Sequence, residues 1–84
     1  MKLLYFSAPW CGPCKMLGPI MERVAQTIPV EKILVDDNPE LASKYAVRSI
    51  PTVIVINENG DELERTIGNK PETFYHELFE KHQA

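Results

Sequence analysis

The sequence predicts an α/β chain whose four-stranded mixed sheet is flanked by three helices, in the order β-α-β-α-β-β-α. Three observations carry this expectation. Lys2 to Phe6 is nearly continuously apolar, as a strand buried on both faces is, and Thr52 to Ile56 is a β-branched run. Stretches with apolar residues at spacings of three and four alternate with such runs, marking amphipathic helices. Asn59-Gly60 is a strong hairpin-turn signal between the last two strands. At 84 residues, 44% of them hydrophobic, the chain is sized for one compact domain, residues 1–84.

In chain order, the first strand ends at Ser7-Ala8-Pro9. From Cys11 onward Leu17, Ile20, Met21, Val24, Ala25 and Ile28 form one apolar stripe, on a helix that Pro29 stops. Pro19 removes one backbone donor inside that helix and crowds the carbonyl of Lys15, costing about 3 kcal/mol if uncompensated, so a kink is expected one turn below the cysteines. A helix starting only after Pro19 would leave Cys11 and Cys14 on a loop; Leu17, already on the stripe, argues against it. Glu31 to Val35 reads as the second strand. Asp36-Asp37-Asn38-Pro39-Glu40 then supplies an N-cap in Asn38, a proline in the first turn and acids at a helix start. The short helix that follows carries Leu41, Ala42 and Tyr45, and the aspartates before it read as solvated caps rather than acid-base machinery.

The strand after the hairpin, Asp61 to Ile67, alternates: Leu63, Arg65 and Ile67 share one face, and Glu62, Glu64 and Thr66 the other, as on a charged edge strand. A capping region around Asn69-Lys70-Pro71 opens the last helix, with Phe74, Tyr75, Leu78 and Phe79 as its buried face. The first two strands require a right-handed crossover and lie parallel; the terminal hairpin adds two antiparallel strands.

Net charge is -3 with acids and bases interspersed, which excludes the basic stripe of a nucleic-acid binder and favours protein partners. The apolar run at the start is too short for a secretory signal or a membrane span, so a cytoplasmic location is the expectation. In that compartment a lone cysteine pair is more plausibly catalytic or metal-binding than a structural staple.

Trp10-Cys11-Gly12-Pro13-Cys14-Lys15 holds the only two cysteines, three apart at the start of a helical pattern. On a helix such positions share a face, with Cβ atoms roughly 5–6 Å apart, and a disulfide needs roughly 3.5–4.5 Å, so small adjustments open or close the bond. Cys11 lies where unpaired amides and the positive end of the helix dipole favour a thiolate, which lowers a cysteine pKa into the range of ~3.5–7.5. Cys14, one turn deeper, is expected to be less exposed and less ionised. Cys11 then attacks a substrate disulfide, and Cys14 releases the product by attacking the Cys11 sulfur.

Gly12 leaves the approach open and Pro13 stiffens the first turn. Lys15 places a cation against the usual dipole preference, either for function or as a solvated lysine. Trp10 is either a docking surface beside the nucleophile or a residue capping the core.

These residues carry a resemblance. The six-residue motif with Pro19 five residues on, followed by Asp36-Asp37-Asn38-Pro39, Ser49-Ile50-Pro51-Thr52, Asn59-Gly60 and Ile67-Gly68, is similar to the landmarks of the thioredoxin family. The resemblance implies a thioredoxin fold with a cis bond at Ile50-Pro51 facing the cysteines. It implies a protein-disulfide reductase whose substrate groove is built by Ile50, Pro51 and Gly68 with Trp10, Gly12 and Pro13. No cofactor beyond the Cys11-Cys14 disulfide is expected. The expected partners are disulfide-containing proteins and an NADPH-dependent flavoprotein thioredoxin reductase; neither nucleic acid nor membrane is expected, and the chain itself should be a monomer.

Two departures stand out. The chain resembles a minimal version of the fold, lacking the usual first strand and helix, and Tyr5 occupies the place of a buried aspartate that helps move the proton of the second cysteine. Lys32 matches the lysine accompanying that acid, so Tyr5, Lys32 and Lys15 are candidate supporting residues. A glutathione-dependent, glutaredoxin-like enzyme is the near alternative, which the Gly-Pro interior and Trp10 do not suit. A metal module would need four ligands, and His76 and His82 lie on different faces of the last helix, leaving only a site shared between two chains. A docking scaffold with incidental redox chemistry is the third reading.

Overall fold

The structure is a computed structural model and describes residues 1–83. Its elements are β1 (Lys2–Ser7), α1 (Gly12–Val24), β2 (Val30–Leu34), α2 (Pro39–Lys44), β3 (Thr52–Ile56), β4 (Glu62–Ile67) and α3 (Glu72–Lys81). The four strands form one mixed sheet in the order β2-β1-β3-β4. β1 runs parallel to β2 and antiparallel to β3, and β3 antiparallel to β4. This is the sequence-predicted architecture.

Alternation along the central strands builds two apolar layers. Leu3, Tyr5, Val53 and Val55 face Leu17, Met21 and Val24 of α1 and Tyr75, Leu78 and Phe79 of α3. Leu4, Phe6, Ile54 and Ile56 point the other way, onto Ile33 and Tyr45, with Leu41 and Val47 packed at the margin. Each fully buried large side chain in these layers contributes roughly 1.5–3 kcal/mol. Because both faces are covered, β3 is buried along its whole length, which explains why it reads as an unbroken β-branched run.

Several boundaries differ from the sequence expectation. α1 ends at Val24 rather than running to Ile28. Gln26 and Thr27 donate three residues back, to Arg23 and Val24, which tightens the chain into turns. The cause is Pro29, which disfavours helical backbone in the residue before it; Ile28 still reaches the core, keeping the stripe. Within α1 the helix continues through Pro19 without a break. β2 is shifted by one residue because its register with β1 pairs Leu3 with Val30 and Ser7 with Leu34.

Asn38 occupies the N-cap position of α2 but makes no side-chain cap bond there; its amide donates to the Leu34 carbonyl at 3.1 Å. Phe74, expected in the core, is only partly buried at the edge of the α3 layer. On β4, Leu63 and Ile67 lie on the solvent side, 39% and 51% exposed, while Thr66 is buried.

A candidate dithiol site at the end of the central strand

β1 ends beside the N-terminus of α1, and the turn between them carries the cysteines. Cys11 is the N-cap: its amide donates to the Ala8 carbonyl at 3.2 Å, and its sulfur accepts the amide of Cys14 at 3.2 Å. A sulfur thus does what a Ser or Asp oxygen does at an ordinary N-cap. With Pro13 in the first turn, where a missing N–H costs nothing, the helix starts at the motif itself. Cys11 and Cys14 are joined as a disulfide with Cα atoms 5.2 Å apart, inside the ordinary range for such bonds.

The pair sits in a small apolar cluster with Ala8, against Val35 and Ile50. Cys11 is 5% exposed and Cys14 3%. In the disulfide form both sulfurs are thus enclosed, Cys11 about as much as Cys14.

Across the site, the Ile50-Pro51 peptide is cis, and the Ile50 carbonyl oxygen lies 3.9 Å from the Cys11 sulfur. Pro51 is fully buried. Its carbonyl accepts the Gly68 amide at 3.0 Å, tying the turn after β4 to the loop before β3. Gly68 has φ +89°, a backbone state open to glycine at little cost. Ile50, Pro51 and Gly68 are therefore contiguous, and the exposed Ile67 continues the surface.

Trp10 lies on the outside: it is 67% exposed, which removes the core-capping alternative. Its indole Nε1 donates to Asp36 Oδ2 at 2.7 Å. Asp36 was expected to be a solvated cap; its role beside the site was missed. The signal was available, since the ends of two parallel neighbouring strands lie side by side, and Trp10 and Asp36 follow those ends by two or three residues. Met16 adds a second exposed apolar side chain, 71% exposed, on the first turns of α1.

Gly12, Pro13 and Lys15 are exposed. A Cβ at Gly12 would meet nothing within 4 Å, so packing within the chain does not require a glycine there. Lys32 is exposed on the edge strand and shares with Cys14, Lys15 and Gly18 a hollow of about 370 Å³. Tyr5 is buried, and its hydroxyl donates to the Cys14 carbonyl at 3.2 Å. The two histidines are engaged elsewhere: His82 lies 2.9 Å from Glu64 and His76 3.6 Å from Glu72. Among the described residues, no three His, Cys, Asp or Glu side chains converge as metal ligands. No helix among them is long and apolar enough to cross a membrane.

Comparison with known proteins agrees with this geometry. The family model described as thioredoxin matches residues 1–80. The thioredoxin of Bacillus subtilis is 46% identical over 81 residues, which cover 92% of this chain and 77% of that protein. Thioredoxin 1 of a Nostoc species is 40% identical over 84 residues, 95% of this chain and 78% of the relative. A solved mutant thioredoxin from Halobacterium salinarum superposes with a TM-score of 0.88 at 39% identity, covering 98% of this chain and 74% of that one. With the first turn of a helix presenting two bonded sulfurs beside a cis-proline loop, and with these relatives, the chain belongs to the thioredoxin family of thiol-disulfide oxidoreductases, which act on disulfide-containing proteins.

Proposed function

We propose that the chain reduces protein disulfides with Cys11 as nucleophile and Cys14 as resolving thiol. The observation that carries this reading is the position of Cys11: a helix N-cap whose sulfur accepts the Cys14 amide and stands 3.9 Å from the Ile50 carbonyl. In the reduced protein the same amide and helix end stabilise a thiolate at Cys11. The thiolate attacks one sulfur of the substrate, breaking its disulfide; a mixed disulfide forms and the other substrate sulfur leaves as a thiolate that takes up a proton. Cys14 then closes the internal bridge and frees the second sulfur.

An extended substrate segment is read as lying along the backbone at Ile50 and Pro51, bounded by Gly68 on one side and by Trp10, Gly12 and Pro13 on the other. Tyr5, Lys15 and Lys32 support the site from the flank of α1. The electrons reside in the cysteine pair, so the reading includes no separate cofactor. It includes a monomeric single domain, a cytoplasmic setting and re-reduction by an NADPH-dependent flavoprotein reductase.

The test is coupled turnover with a model disulfide protein. The native chain should turn over, Cys11→Ser should be inactive, and Cys14→Ser should accumulate a covalent mixed disulfide through Cys11. Reduction of the oxidised chain by glutathione alone, with no response to the flavoprotein and NADPH, would remove the proposed reductase. Turnover surviving in Cys11→Ser would remove the mechanism.

A further inference from the structure

Beneath the cysteines, the apolar layer between the sheet and helices α1 and α3 holds two phenols, Tyr5 and Tyr75. They are 2% and 0% exposed, and they differ in what their hydroxyls do. The Tyr5 hydroxyl donates to the carbonyl oxygen of Cys14 at 3.2 Å. The Tyr75 hydroxyl has no hydrogen-bond partner among the described residues. A buried hydroxyl is costly unless bonded, and the one that is bonded here holds the peptide carrying the second sulfur.

The anchor is stiff. Tyr5 is paired to Lys32 in β2 on one side and to Val53 in β3 on the other. Two surface hollows share Gly18 and Lys32: Tyr5 lines one, of about 140 Å³, and Cys14 the other, of about 370 Å³. One turn on, Pro19 has no N–H to donate to the Lys15 carbonyl, so the first turn of α1 is less braced from within. The Tyr5 hydroxyl supplies a brace from outside the helix.

From this we infer that Tyr5 is a positioning residue for the second step of the reaction: by fixing the Cys14 peptide, it keeps the Cys14 sulfur in line with the bond that sulfur must break. The inference rests on the cysteine roles proposed above. In that step the Cys14 thiol loses its proton to water and its sulfur attacks the Cys11 sulfur. The bond between Cys11 and the substrate breaks as the Cys11-Cys14 bond forms. The substrate sulfur leaves with the electron pair and takes up a proton. The first step, attack by Cys11, places no demand on where Cys14 points.

Dithiobis-nitrobenzoate separates the two steps, because one thionitrobenzoate is released when Cys11 attacks and a second when Cys14 resolves the adduct. Tyr5→Phe should leave the first release unchanged, which also shows that the site is folded, and slow the second about tenfold. Tyr75→Phe deletes the same atom from the same layer and should leave both releases unchanged. Equal slowing of both releases in Tyr5→Phe, or of neither, overturns the inference. So does a second release slowed as much by Tyr75→Phe, since loss of any buried hydroxyl would then suffice. Cys14→Ser should abolish the second release; if that release persists, the cysteine roles fail and the inference falls with them. If it is abolished while Tyr5→Phe behaves as the native protein, the role of Tyr5 alone is withdrawn.

Discussion

The indole of Trp10 is held by the carboxylate of Asp36, Nε1 to Oδ2 at 2.7 Å, although the ring itself is two-thirds exposed. An exposed aromatic ring is ordinarily free to change rotamer, and ordering it during docking would cost roughly 0.5–1.5 kcal/mol. On the docking role proposed for Trp10, Asp36 meets that cost before a partner arrives. Asp36→Ala is therefore expected to raise KM for a protein disulfide about two- to fivefold, in keeping with roughly 0.5–1 kcal/mol for an exposed charge-assisted contact. The value of kcat should stay within twofold, and Trp10 fluorescence anisotropy should fall. A change in kcat with KM unaltered would show that the pairing serves the chemistry instead of docking.

Gly68 ties the turn after β4 to the loop before β3, its amide donating to the Pro51 carbonyl at 3.0 Å with φ at +89°. A Cβ there meets no atom within 4 Å, so Gly68→Ala tests backbone strain without a clash. The left-handed region costs an L-residue about 1–2 kcal/mol. We expect that loss in urea unfolding, with the denaturant slope unchanged, and a higher KM as the Pro51 contact loosens. An unaltered unfolding midpoint would mean that the turn relaxes freely and that Gly68 does not hold the groove.

Tyr75 gives a prediction in stability and in pH. Its hydroxyl is buried without a partner, so Tyr75→Phe should stabilise the fold by about 1 kcal/mol at neutral pH. Burial raises the Tyr75 pKa above its ordinary 10.0. A raised folded-state pKa means that the neutral phenol's stability is fully present below the unfolded value, near pH 10, and is lost as pH climbs toward the folded one. The native chain should therefore weaken above pH 10 more steeply than Tyr75→Phe, with the two curves parallel below it. Parallel curves throughout would place Tyr75 in contact with water.

The main architecture was legible because its signals are local. Continuous apolar runs marked the doubly covered strands, the spacing of Leu17, Met21 and Val24 marked the inner face of α1, and Asn59-Gly60 marked the hairpin. The cysteine pair was legible for the same reason, since two sulfurs three residues apart report on themselves. Contacts set by tertiary register were not. Asp36 read as a solvated acid because its partner lies 26 residues earlier, at the end of the neighbouring strand. The bond from Tyr5 to the Cys14 carbonyl depends on which face of β1 the ring takes and on the height of α1 above it. The end of α1 at Val24 was lost because periodicity continues through the turns that carry Ile28 into the core.

The register of β1 with β3 sets Phe6 opposite Thr52 and Lys2 opposite Ile56, so the sulfurs and the Asn57 to Gly60 turn occupy opposite poles of the sheet. One pole works on other proteins; the other is a handle. A fluorophore, an affinity tag or a fusion partner grafted into that distant turn would leave the reactive pole unobstructed, and tethering the molecule by it to a surface would turn every immobilised copy to face its disulfide targets.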